Sequence, residues 1–121
     1  MKKDKTLVIG ASENTERYSN RAIRSLVNHN RKVVAIGSRP GKVEGVEFST
    51  ERPALGDIDT VTLYLSRKNQ VQYYDYILTL NPRRIIYNPG AENPELEALA
   101  SEKGIENVEA CTLVLLSTGQ Y

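Results

Sequence analysis

The sequence predicts an α/β protein with an open, mostly parallel sheet of five strands and helices on both faces. Two kinds of segment carry that expectation. Short, continuously apolar runs such as Leu7-Val8-Ile9 and Val33-Val34-Ala35-Ile36 suit strands covered on both sides. Stretches of helical spacing lie between such runs, for example Ala22, Ile23, Leu26 and Val27. The order strand, helix, strand, loop, strand, helix, strand, helix, strand implies parallel pairing through right-handed crossovers.

The first strand runs from about Lys5 to Gly10. Ser19 is a good N-cap for the first helix, which closes at Asn28-His29-Asn30. The second strand is Lys32 to Gly37. Pro40, Gly41, Gly45, Pro53 and Gly56 then interrupt any long period, so Ser38 to Asp59 reads as a loop. A short extended piece at Val43 to Phe48 and at most a short helix near Glu51 to Leu55 are expected within it. The third strand is Thr60 to Leu65. Ser66 caps a helix from Arg67 to about Leu80, whose buried stripe is Val71, Tyr74, Ile77 and Leu78. Asn81-Pro82 ends that helix, and Arg84 to Tyr87 is the fourth strand. After the turn Asn88-Pro89-Gly90-Ala91, Asn93 caps a helix with Pro94 at its first position, and Gly104 stops it. Leu96, Leu99 and Ala100 face inward from that helix. Asn107 to Ala110 forms a short fifth strand, and Thr112 to Ser117 a final helical turn or two.

With 121 residues the chain suffices for one domain, 1–121, with one core. Sixteen basic residues against fifteen acidic ones argue against general nucleic-acid binding, which shows as a basic excess. No apolar run approaches the roughly 20 residues that span a bilayer. Met1-Lys2-Lys3-Asp4-Lys5 lacks the pattern of a signal peptide. A lone cysteine, Cys111, fits a reducing, cytoplasmic setting, and with a lone histidine, His29, it cannot build a Cys/His zinc site.

Ligands of such sheets bind beyond the carboxyl ends of the strands. Gly10-Ala11-Ser12 lies at the first of these ends, where backbone amides without helical partners favour an anion. The three-glycine dinucleotide fingerprint is broken there, with Ser12 and Thr15 at its second and third positions. The second strand ends in Ile36-Gly37-Ser38-Arg39-Pro40-Gly41-Lys42, without the carboxylate that holds the ribose of NAD. Arg39 and Lys42 suit a phosphorylated ribose instead. NADP and coenzyme A both carry one, and a dehydrogenase would need catalytic segments for which the chain has no spare domain. Read as ordinary surface chemistry, Arg39 and Lys42 are solvated loop charges and the turn at Gly10 binds nothing.

Gly10-Ala11-Ser12 followed by Arg17-Tyr18-Ser19-Asn20 resembles the first phosphate loop of stand-alone CoA-binding domain proteins. These are similar to the Rossmann-like CoA-binding domain of the succinyl-CoA synthetase α subunit. The Pro40-to-Gly45 loop, Asn88-Pro89-Gly90-Ala91 and Cys111 also resemble that family's pattern. The resemblance implies coenzyme A or an acyl-CoA as the small-molecule ligand. Gly10, Ala11 and Ser12 would hold the diphosphate, with Arg17 and Asn20 steadying the loop or touching phosphate. Ser38, Arg39 and Lys42 would hold the adenosine end. Leu65, Ser66 and Arg67 would border adenine or pantetheine, and Asn88 and Gly90 would line the pantetheine route. Many relatives have Asn-Pro straight after the second strand, where this chain has Ser38-Arg39-Pro40.

No residue is assigned to catalysis. His29 suits the carboxyl end of the first helix as a cation, and Glu92, Glu95 and Glu97 suit the start of a later one. Cys111 reads first as a small core residue and second as a thiol able to form a mixed disulfide with CoA. Tyr73, Tyr74 and Tyr76 cannot all face inward on one helix; an exposed member would mark a homodimer or another protein contact, and the plainer reading packs their rings against neighbouring strands. The expected function is a non-catalytic CoA carrier, sensor or accessory protein. The alternatives are a small NADP-dependent oxidoreductase or redox sensor, and a ligand-free interaction module.

Overall fold

The structure, a computed structural model, describes residues 2–121. The first strand, β1 (Lys5–Ala11), lies at the centre of the sheet. Its side chains alternate between two cores, Leu7 and Ile9 on one face and Val8 and Ala11 on the other. α1 (Tyr18–Asn28) covers the second face with Ile23 and Leu26, joined there by Leu116 of α5 (Thr112–Ser117). β2 (Lys32–Gly37) pairs with β1 in parallel.

β3 (Gly41–Val43) and β4 (Val46–Ser49) follow, then β5 (Ile58–Leu63), β6 (Arg84–Tyr87) and β7 (Glu106–Glu109). The strand order is β3-β4-β2-β1-β5-β6-β7, and every neighbouring pair is parallel except β3 with β4. α2 (Arg67–Gln70), a 3₁₀ turn (Val71–Tyr73) and α3 (Tyr74–Leu80) connect β5 to β6. α4 (Pro94–Glu102) connects β6 to β7. Ile77 of α3 and Leu96 of α4 pack on the Leu7 and Ile9 face. Among the described residues no helix is long and apolar enough to cross a membrane.

Among the described residues the sheet has seven strands where five were expected. The extra pair is a hairpin inside the segment read as a loop. Glu44 and Gly45 both adopt positive φ, 49° and 81°, as the two central residues of a type I′ turn require. Asn or Asp before the glycine announces such a turn, and Glu44 hides it. β4 then adds to β2 in parallel. No helix forms at Glu51 to Leu55. That stretch instead packs Leu55 on the core, stacks Arg52 over Tyr73 at 3.9 Å and offers the Pro53 carbonyl to the Tyr76 hydroxyl at 2.7 Å.

Two helix expectations are also corrected. α1 begins ahead of Ser19, with Arg17 at the N-cap and no capping side chain. The helix expected from Arg67 to Leu80 is broken by the 3₁₀ turn, which rotates the stripe so that Gln70 is fully buried and Val71 is 56 % exposed. Tyr73 and Tyr74 are buried and Tyr76 is half-buried, so no member of that trio forms an exposed aromatic patch.

At the opposite face Arg84 is buried. It donates to the Thr60 hydroxyl at 2.9 Å and a main-chain oxygen of Tyr121 at 3.0 Å, and its guanidinium lies over the Tyr121 ring.

The broken helix predicts a contrast in urea unfolding. Ile77→Ala should cost about 2–5 kcal/mol, as truncation of a core side chain does. Val71→Ala should stay within about 0.5 kcal/mol, as an exposed position does.

Candidate functional site

A cleft of about 1200 Å³ opens above the carboxyl ends of β1, β2, β5 and β6. The turn after β1 forms its floor. Gly10 has φ +101°, and a Cβ there would stand 2.8 Å from the Tyr64 carbonyl oxygen. Only glycine meets both conditions without strain. Gly37 at the end of β2 is equally confined, since a Cβ would meet the Ala11 carbonyl oxygen at 2.6 Å.

Beyond Gly10 the loop folds on itself through small polar groups. The Asn14 amide donates to the Ser12 hydroxyl at 3.1 Å, and the Glu16 amide donates to the Asn14 side chain at 2.9 Å. Among the described residues, the amides of Ser12, Glu13 and Thr15 and those of Tyr18 and Ser19 in the first turn of α1 have no protein acceptor. Those residues other than Thr15 line the cleft. The loop therefore presents a row of N–H donors beside the positive end of a helix, the arrangement that attracts an anion.

Asn20 does not line the cleft. It is 1 % exposed, donates to the Ser12 carbonyl at 3.0 Å and accepts from Arg24 at 2.8 Å. It steadies the loop from below, one of the two roles expected of it.

The far wall is held by buried amides. Asn88, at the end of β6, donates to the Thr62 hydroxyl at 2.7 Å and the Leu63 carbonyl at 2.9 Å, and accepts from the Thr112 amide at 2.9 Å. Its polar atoms are spent on tying β5, β6 and α5 together, so it shapes the wall through structure rather than through a free amide. Gln70 donates to the carbonyls of Leu65 at 2.8 Å and Ala91 at 2.7 Å, bridging the two loops that flank the cleft. Asn93 caps α4 through the Leu96 amide and also donates to Gln70 and Tyr74. Nothing in the sequence pattern marked Gln70, because its burial follows from the break after α2. Tyr64 also lines the cleft, and its hydroxyl is buried with no partner among the described residues. Burial pushes its phenol well above the ordinary value, and the Thr112 and Thr62 hydroxyls, engaged with each other, offset only part of that.

Gly10, Ala11, Ser12, Arg17, Ser38, Arg39, Leu65, Ser66, Asn88 and Gly90 all line the cleft. Lys42 and Arg67 do not. Lys42 belongs to β3 of the unexpected hairpin and is exposed. Arg67 sits at the start of α2, one residue past Ser66 at the rim. Arg17 and Arg39 form no ion pair among the described residues. Cys111 lines the cleft half-buried, whereas His29 lies at the other end of α1 and bonds the Ser25 carbonyl.

The CoA binding domain family matches the chain over residues 4–117. The chain belongs to that family. This CoA-binding domain is also similar to a crystal structure of an uncharacterized protein at 47 % identity, with 98 % of each chain covered and a TM-score of 0.94. A hypothetical protein from Pyrococcus horikoshii OT3 shares the fold at 22 % identity, covering 95 % of this chain and 82 % of that one, TM-score 0.83. The fold recurs in a dinucleotide-forming acetyl-coenzyme A synthetase from Ca. Korarchaeum cryptofilum, whose structure contains phosphate and ADP. There the identity is 15 %, 90 % of this chain and 26 % of that one are covered, and the TM-score is 0.73. No curated protein matches this chain.

Three substitutions test the architecture of the site by chemical denaturation. Asn88→Ala should cost about 2–4 kcal/mol, because it strands the buried partners of three hydrogen bonds. Gly10→Ala should cost more than Gly90→Ala, whose Cβ would meet nothing within 4 Å, so that only the strain of its φ of +93° remains. That strain alone is worth about 1–2 kcal/mol.

Proposed function

We propose that this chain binds coenzyme A or an acyl-CoA as a non-catalytic carrier, sensor or accessory protein. The observation that carries the reading is the row of unpartnered amides after Gly10, facing the same cleft as the unpaired guanidiniums of Arg17 and Arg39. A diphosphate in the turn of Gly10, Ala11 and Ser12 would satisfy the amides, and Arg17 would neutralise part of its charge. Arg39, beside Ser38, would pair with the ribose phosphate at the end of β2. Leu65, Ser66 and Gly90 would flank the remainder of the ligand, with Asn88 fixing the wall behind it. Membership of the CoA binding domain family supports the choice of ligand.

Thermal unfolding with CoA, dephospho-CoA and NADPH tests the reading. CoA at a hundred times its Kd should stabilise the fold by about 2.7 kcal/mol. Arg39→Gln should weaken CoA by about tenfold and dephospho-CoA far less, as expected when a charge-assisted pair with the ribose phosphate is lost. Saturable NADPH binding that CoA cannot displace would replace this reading with the NADP one. No shift with any nucleotide would leave a ligand-free scaffold.

A further inference from the structure

The carboxylate of Glu13 occupies an unexpected place. Its residue belongs to the anion-facing loop after β1 and lines the cleft, yet its side chain reaches across to the hairpin and accepts the Lys42 amide at 2.9 Å. The stem of Glu13 passes over Gly41, where a Cβ would stand 2.7 Å from its Cγ, so a side chain at that position would dislodge it. The amide it covers lies three residues beyond Arg39, and Arg39 has no carboxylate partner among the described residues. A negative group on a cleft-lining residue thus holds a backbone donor of the hairpin, in the segment that follows Arg39. Glu13 is exposed and free to swing away.

We infer that Glu13 is a selectivity residue that stands in for a ribose phosphate in the free protein. Its carboxylate takes the Lys42 amide hydrogen bond that a phosphate oxygen would take, and a ligand carrying that phosphate must displace it. The inference rests on the nucleotide reading above and deepens it. It implies that the chain gives up part of its affinity for a ribose-phosphorylated nucleotide and holds the β1–α1 loop to the hairpin in exchange. Like-charge opposition is strongest for the ligand that brings the extra phosphate to this end and weak for one that lacks it.

Isothermal titration of CoA and dephospho-CoA into wild type, Glu13→Gln and Glu13→Ala separates the outcomes. Glu13→Gln keeps an oxygen acceptor for the Lys42 amide and loses only the charge. It should tighten CoA roughly 3- to 10-fold while dephospho-CoA changes less than about twofold. Glu13→Ala also frees the amide and should tighten CoA at least as much. Equal changes for the two ligands, or weaker CoA binding by Glu13→Ala, would overturn the inference and make Glu13 a strap that the site requires. A wild type that binds neither ligand would instead bring down the nucleotide reading, and the inference with it.

Discussion

No side chain fits where β1 ends. The sheet brings the Tyr64 carbonyl within 2.8 Å of the place a Cβ on Gly10 would take, and the Ala11 carbonyl as close to Gly37. Central strands at their ordinary spacing force this approach, because β1 is paired on both sides. The positive φ of Gly10 then sends the chain up and over the strand ends instead of along them. The amides that follow find no partner in the sheet and none in the helix that has yet to begin. The open, donor-lined floor of the cleft follows from that crowding.

A loop of this kind holds its shape poorly by apolar packing, since few of its residues are buried. Buried polar side chains hold it and its surroundings in place. Asn20 grips the Ser12 carbonyl from below, Asn88 ties β5 and β6 to α5, and Gln70 spans the two loops on the far wall. Each is almost fully excluded from water and has its polar atoms engaged. The ordering of the walls is therefore achieved on folding, and a ligand does not bear that entropy when it binds. The same network engages the side-chain amides of Asn20 and Asn88 with partners inside the protein.

The elements that could be read in advance share a local cause. Apolar runs of a few residues, Asn93 before Pro94, and the glycine after β1 act within one turn or one strand, so their signal sits in adjacent residues. The hairpin at Gly41 to Ser49 was hidden because Glu44 lacks the usual turn chemistry, and with it went the correct position of Lys42. Val71 reads as core under an unbroken helical period and is turned to solvent by a 3₁₀ turn that the period does not announce. Gln70 and Glu13 act on partners more than twenty residues away, and nothing beside them in sequence indicates those partners.

By itself, the sequence determined the parallel α/β plan, the glycine turn at Gly10 to Ser12, and the strand ends from which a cleft would be built. Those follow from backbone sterics and periodicity, which act over a few residues. Tertiary structure alone decided that Arg39 faces the cleft and Lys42 does not, that Asn88 is consumed as a brace, and that the Glu13 carboxylate rests on the Lys42 amide. The physical reason is range. Which side chain meets which distant backbone group depends on how strands from opposite halves of the chain are laid side by side, and that order is settled only when the whole sheet closes over its two cores.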